Sequence, residues 1–322
     1  MSERVAGLPP EASQPKTDGY KAWYGPEILA SGGYHDGSVL ANRLGLQFAR
    51  IATLNLSWRL RKRAVDADLR PYVDAFERDG VVAIENFFPD DVFAQVKAEC
   101  DTCHQAGLFT SEVVEDNFII EEHLAVKRHK HEMPVAWERL RSDDRLKRLA
   151  AAVLRTPAIE KMRMDVNFMT KSSGAPPPSR LVGTNYLHAD VHYPSSKAWL
   201  YLNDIDETNG AIVFAKGSTR LSLGRLAHEY DVSVRVARAK DEGLGYRTTV
   251  PGCLVRLPTD EQRRAMGLIE APVCGKANTL IFANVMGFHR RGEFLEGRRR
   301  EQIQFTFGDR PASRRVEQDP RT

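Results

Sequence analysis

Arg300-Glu301-Gln302-Ile303-Gln304-Phe305-Thr306-Phe307 alternates polar and apolar side chains. In a strand, residues i and i+2 share a face. Ile303, Phe305 and Phe307 are therefore directed to one layer, and Arg300, Gln302, Gln304 and Thr306 to the other. A polar row on a strand this apolar predicts a polar barrel interior. Further upstream, Met162, Met164, Val166 and Phe168 alternate with Arg163, Asp165, Asn167 and Met169, and Thr279–Ala283 is a further apolar strand. Before residue 156 the period is helical instead. An amphipathic helix is expected over 37–63, with Arg43, Gln47, Arg50, Ser57 and Arg61 on one stripe and Leu40, Leu44, Phe48, Ile51 and Trp58 on the other. Helix 67–79, strand 80–87, helix 90–105 and helix 136–155 follow. Helices first and short strands later predict a mainly β fold with supporting helices, a double-stranded β-helix of the cupin-like jelly-roll kind. The expected divisions are a disordered or irregular arm over 1–36, the helix over 37–66, the jelly roll over 67–310 and a tail over 311–322.

Working outward from this strand, His289 lies eleven residues before Arg300, and His188-Ala189-Asp190 about a hundred residues before that. Read as a strand, 185–191 aims His188 and Asp190 at one side and Leu187 and Val191 at the other. Two histidines and one carboxylate are the donor set that holds a non-haem Fe(II) while leaving coordination positions open. An arginine adds a planar, permanently charged fork suited to a carboxylate co-substrate. Arg298 shares the parity of Arg300 and is the alternative. His192 shares the parity of His188 and Asp190, and reads as a pocket residue rather than a fourth ligand. Cys100-Asp101-Thr102-Cys103-His104 matches the attachment pattern of a c-type haem. It falls inside an expected helix, with no export signal and no evident axial partner, and is read as helix.

At these residues the chain resembles the phytanoyl-CoA dioxygenase family. His188-Ala189-Asp190-Val191-His192-Tyr193 is similar to its metal motif. Asn209-Gly210, Ala211-Ile212-Val213-Phe214 and Gly217-Ser218 resemble its turn, strand and loop. Phe76-Glu77-Arg78-Asp79-Gly80-Val81-Val82 and Phe87-Phe88-Pro89 resemble its opening unit. The resemblance spans roughly 68–310, and departs in a short loop before Trp199 and a long arm before residue 68. It implies Fe(II), with 2-oxoglutarate and O2 as co-substrates. His188, Asp190 and His289 would bind the iron, the 2-oxo acid end of 2-oxoglutarate would chelate it, and Arg300 would hold the distal carboxylate. Trp199 and Tyr201, of one parity on the next strand, would wall the co-substrate pocket. Lys127 stands where family members carry a lysine that contacts 2-oxoglutarate, with Lys130 as its alternative. The implied reaction is hydroxylation of an unactivated C–H bond, with desaturation, cyclisation or epimerisation as variants. Halogenation is not expected, because Asp190 is retained. A reading of another class is a jelly-roll binding protein without turnover.

Composition narrows the rest. A net charge of +3 over 322 residues gives no reason to expect nucleic acid. Residues 1–19 lack an apolar h-region, and no long uncharged apolar run is present. Four cysteines do not suggest a disulfide framework, so a reducing cytoplasm is the expected location. The segment 216–250 is long for a connection and reads as a lid. It carries seven basic against four acidic residues. Val232, Val234 and Val236 suggest a strand within it that presents Arg235. A basic rim predicts an anionic small-molecule substrate. The helix over 37–63, with Arg59, Arg61, Lys62 and Arg63, suits either an anionic membrane surface or the flank of the barrel, and the flank is favoured.

Overall fold

The protein is described by a computed structural model covering residues 37–61, 65–114, 118–159, 161–174, 183–242 and 257–307. The arm over 1–36 and the tail over 311–322 lie outside the described residues. At the centre is β10 (Arg299–Phe307), flanked by β4 (Met162–Lys171) and β5 (Ser196–Tyr201). Beyond β5 come β8 (Leu280–Asn284) and β1 (Val81–Ile84). Beyond β4 come β3 (Ile119–Ala125) and β2 (Thr110–Val114). The resulting seven-stranded sheet has the order β1-β8-β5-β10-β4-β3-β2, with every pairing antiparallel. A second sheet of β7 (Glu270–Val273), β6 (Ile212–Ala215) and β9 (His289–Arg291) has the order β7-β6-β9.

The alternation of β10 is realised on the two faces of the large sheet. Ile303, Phe305 and Phe307 join Met164, Val166, Phe168, Ala198, Leu200 and Phe282 in the larger core. That core is closed by α3 (Arg70–Asp79), α4 (Asp90–Gln105) and α5 (Asp144–Leu154), which contribute Val73, Phe76, Val96, Cys100, Leu146 and Leu149. The opposite face looks into the barrel, where Trp199, Tyr201, Ile281 and Ala283 meet Ile212, Phe214 and Val273 of the small sheet. Register aligns the polar residues of this inner face in rows. Arg300 stands opposite Met169 and then Glu121; Gln302 is flanked by Tyr201 and Asn167; Gln304 by Trp199 and Asp165; Thr306 by Lys197 and Arg163.

Several expected elements change. The helix over 37–63 divides into α1 (Val39–Arg43) and α2 (Leu46–Leu60), because Gly45 takes φ 96° between them. Its polarity is also reversed. Gln47, Arg50 and Asn55 are buried with Ile51 and Leu54, while Leu44 is 80% and Leu60 71% exposed. The helix does dock on the flank: Tyr230 donates to the Arg43 carbonyl and stacks on Phe48, and Arg155 lies 4.1 Å over the Trp58 ring. Helix 136–155 is two pieces, because the Asp143 side chain accepts from Leu146 N at 2.7 Å and caps a new start. Strand 80–87 is confined to β1. The strand over 185–191 reduces to an isolated bridge at His188; Leu187 packs with Ala189 and Phe288, and Val191 against the barrel core. The strand expected at 232–236 is part of α6 (Leu223–Asp241). α7 (Asp260–Met266) follows it among the described residues. Cys100 and Cys103 are packed in the helix-side core, which accounts for that motif without a haem.

Candidate metal centre

His188 and His289 are joined by their backbones. Each peptide N–H donates to the other's carbonyl, at 2.9 Å and 2.8 Å, and Asp190 N donates to Val285 O at 2.9 Å. These bonds fix the origin of all three side chains. The loop that delivers His289 is held in turn by Ser218, whose hydroxyl accepts from Phe288 N at 2.8 Å. Arg225 reinforces it from α6, donating to the carbonyls of Ser218 and Met286 at 3.0 and 2.8 Å and pairing with Glu229 at 2.7 Å, all fully buried. The Gly217-Ser218 motif thus has a physical purpose in seating one histidine.

The three side chains converge. His188 Nε2 lies 3.4 Å and His289 Nε2 3.9 Å from Asp190 Oδ1, and the donor atoms lie within 4.8 Å of one another. Each Nδ1 faces a carbonyl, His188 toward Tyr186 O at 2.7 Å and His289 toward Gly287 O at 3.0 Å. A carbonyl only accepts, so Nδ1 carries the hydrogen and the Nε2 lone pair is directed into the cluster. Burial, reinforced by the neighbouring His188, lowers the pKa of His289 to about 4 against the pull of Asp190. Its imidazole is neutral at pH 7, as a metal ligand must be. Burial alone would raise the Asp190 carboxyl, but the charge of the neighbouring Lys197 outweighs it and holds the group well below the usual carboxylate range.

Arg300 is buried at the far end of the inner face. It donates to Gly210 O and lies 2.9 Å from Met169 Sδ. Gly210 is required there: at φ +78°, a Cβ would fall 1.9 Å from the Phe294 ring. Asn209 ties this turn to the start of β10 through Arg299 O at 3.1 Å. Arg298 precedes the strand and pairs with Asp206 at the surface, at 2.7 Å. Trp199 and Tyr201 both face the interior: Trp199 Nε1 donates to Gln304 Oε1 at 3.1 Å and Tyr201 donates to Val273 O at 2.9 Å. His192 is fully buried, with its ring edge-on to Tyr193. Lys127 and Lys130 are exposed in and just after a 3-10 turn beyond the end of β3. Register places Glu121, not a lysine, in the row of Arg300.

The sequence profile of the phytanoyl-CoA dioxygenase family matches residues 76–258, more than half of the chain. The chain belongs to the phytanoyl-CoA dioxygenase family. It is accordingly a non-haem iron and 2-oxoglutarate-dependent oxygenase. No curated protein sequence matches it. Among solved structures, the dioxygenase is similar to the epimerase SnoN in complex with Fe3+, alpha ketoglutarate and nogalamycin RO, with a TM-score of 0.52 and 14% identity, covering 75% of this chain and 84% of that one. It is also similar to EctD from S. alaskensis with 2-oxoglutarate and 5-hydroxyectoine, with a TM-score of 0.49 and 15% identity, covering 78% and 80%. At 14% identity the likeness to SnoN is one of fold, the jelly roll.

The donor set fits iron on its own chemistry, since two imidazoles, each with Nδ1 turned to a carbonyl, and an ionised carboxylate face one point from neighbouring backbone positions. Two contributors were not read from the sequence. Lys197 Nζ lies 2.7 Å from Asp190 Oδ2, and it shares the strand parity of Trp199 and Tyr201, which was the available signal. Arg225 was counted with the lid charges, and nothing in the sequence marks it as buried.

Proposed function

We propose that this oxygenase hydroxylates an unactivated C–H bond of a small anionic metabolite or acyl substrate, with His188, Asp190 and His289 as the iron ligands and Arg300 as the anchor of 2-oxoglutarate. The observation that supports it best is the convergence of both Nε2 atoms on Asp190 Oδ1. Bound iron, 2-oxoglutarate and dioxygen supply an oxidation of substrate coupled to release of succinate and carbon dioxide. The chain's own residues supply position. The His188–His289 backbone pair sets the ligand spacing, and the Nδ1 bonds set both tautomers. Arg300 would offer a charged fork, buried at one end of the inner face that Trp199 and Tyr201 share. Burial pushes the Tyr201 phenol up, so it stays a neutral donor. Lys127 remains a candidate contact only for a group at the opposite end of β3 from Arg300.

The support for an anionic substrate is the surplus of basic over acidic residues in the segment 216–250, although part of it is paired. Arg225 and Arg235 are engaged by Glu229 and Asp231. Arg163, whose side chain is 60% exposed, stands in the row of Thr306 and Lys197 beside Asp190. The two carboxylates there, Asp165 and Asp190, pair with Arg163 and Lys197, so these side chains carry no surplus charge of their own. We retain a reducing cytoplasm as the location, on the cysteine spacing and the ferrous chemistry.

The test is incubation of iron-loaded protein with a metabolite extract and 2-oxoglutarate. A product heavier by one oxygen, with succinate, is expected; His289→Ala should fold yet lose iron binding and turnover. Loss of two hydrogens, or unchanged mass with altered stereochemistry, would replace hydroxylation by desaturation, cyclisation or epimerisation. Wild-type iron affinity in His289→Ala would overturn the ligand assignment.

A further inference from the structure

The two oxygens of Asp190 have different surroundings. Oδ1 is turned to the histidines, 3.4 Å from His188 Nε2 and 3.9 Å from His289 Nε2. Oδ2 is turned away and lies 2.7 Å from Lys197 Nζ. The distinction matters to a six-coordinate ion. Two imidazoles, one carboxylate oxygen and a chelating 2-oxo acid fill five positions, and dioxygen needs the sixth. A carboxylate that closed on the metal with both oxygens would take that position.

We propose that Lys197 is a positioning residue that holds Asp190 to one-oxygen coordination and keeps the reactive position open. This rests on the reading of His188, Asp190 and His289 as the iron ligands. Three further observations favour it. Lys197 is placed independently of the loop that carries Asp190: it sits in β5, laddered to Ala283 of β8 and Thr306 of β10. The Asp190 main chain is separately tied to Val285 O. The carboxylate therefore hangs between two fixed frames, and its rotation is set by which oxygen the ammonium takes. The pair is also partly shielded, at 30% and 24% side-chain exposure, and a charge-assisted bond of this length is stronger than a neutral one. Finally, a lysine offers a compact point charge, able to hold one oxygen without forking across both as a guanidinium does.

The experiment compares wild type with Lys197→Met, Lys197→Arg and His289→Ala under anaerobic conditions, with circular dichroism and melting curves confirming folding. Fe(II) affinity is measured by equilibrium dialysis. The Co(II)-substituted protein gives a visible spectrum whose intensity reports coordination number. Removing a partner of a metal-bound carboxylate costs roughly tenfold or more in metal affinity, so Lys197→Met is expected to bind Fe(II) about tenfold more weakly. Its Co(II) bands should differ from wild type, while its 2-oxoglutarate affinity, set at Arg300, stays within about threefold. Lys197→Arg should recover most of the metal affinity but only part of the spectrum. A folded Lys197→Met with wild-type Fe(II) affinity and an unchanged Co(II) spectrum would overturn the proposal while leaving the ligand set intact. So would weaker affinity with no spectral change, since the pair would then only stabilise the loop. If Lys197→Met does not fold, the Lys197→Arg spectrum decides: wild-type bands mean that the oxygen held by the side chain does not set the coordination. If the wild-type protein takes up neither ion, or His289→Ala binds as wild type does, the ligand assignment itself fails, and the role of Lys197 with it.

Discussion

Among single residues, the clearest division of labour is between Arg300 and Arg298. The two share a parity in sequence, yet one is buried beneath Gly210 and the other is paired with Asp206 outside. Arg300→Ala should therefore weaken 2-oxoglutarate binding by about 10- to 100-fold, the worth of a charge-assisted pair of roughly 1.5–3 kcal/mol, with iron binding little changed. Arg300→Lys should restore only part, and Arg298→Ala should match wild type; titration calorimetry on the anaerobic metal complex reads all three. Asp165 makes a second residue-level prediction. Burial would raise its pKa, but His123 at 3.4 Å and Arg163 at 2.7 Å lower it below 3.8. A depressed carboxylate contributes stability above its unfolded pKa, and the contribution is lost as pH falls through the folded value. Asp165→Asn should thus cost about 1 kcal/mol at neutral pH, and its melting temperature should converge on wild type below pH 4. A constant difference across that range would refute the ionic account. At this scale the sequence singles out residues whose chemistry is rare: His188, Asp190 and His289, whose donor atoms converge, and Arg300, which is buried. For Lys197 strand parity gives only the inner face, because no period links it to an aspartate seven residues away across a loop.

Elements were legible in proportion to how one-sided their burial is. β10 and β4 have one face against helices and the other against a polar interior, so a period of two survives in their residues. α6 has no such asymmetry: Val232, Ser233, Val234, Val236, Ala237 and Ala239 are all buried. A helix covered nearly all round shows whatever spacing its valines happen to have, and here that spacing imitates a strand. α2 misleads in the opposite way, because Gln47, Arg50 and Asn55 are inward while Phe48, Leu56 and Leu60 are outward. Leu56→Glu, at 57% exposure, should accordingly change stability by no more than about 0.5 kcal/mol. Leu54→Ala, two residues away and buried, should cost about 2–3 kcal/mol. Urea denaturation separates the two, and a severe loss in Leu56→Glu would mean that the reversed face is covered.

For the whole molecule, the jelly roll was legible because helices precede strands and the ordered motifs fall at its functional corners. No described helix is long and apolar enough to cross a membrane. The backbone exchange between His188 and His289 has a consequence at this scale, in the selection of the ion. The donors are brought together by hydrogen bonds that owe nothing to any ion, and they are only three, so most of the coordination sphere is left to other ligands. A site of imidazole and carboxylate binds divalent ions more tightly from manganese through iron, cobalt and nickel to copper. Three such donors with open positions impose too little geometry to reverse that order. Fidelity to iron then falls to the cell that makes the protein, through the ions left free while the chain folds. Elemental analysis of protein from cultures supplied with different metals should follow the growth medium, and the active fraction of each preparation becomes a record of its supply.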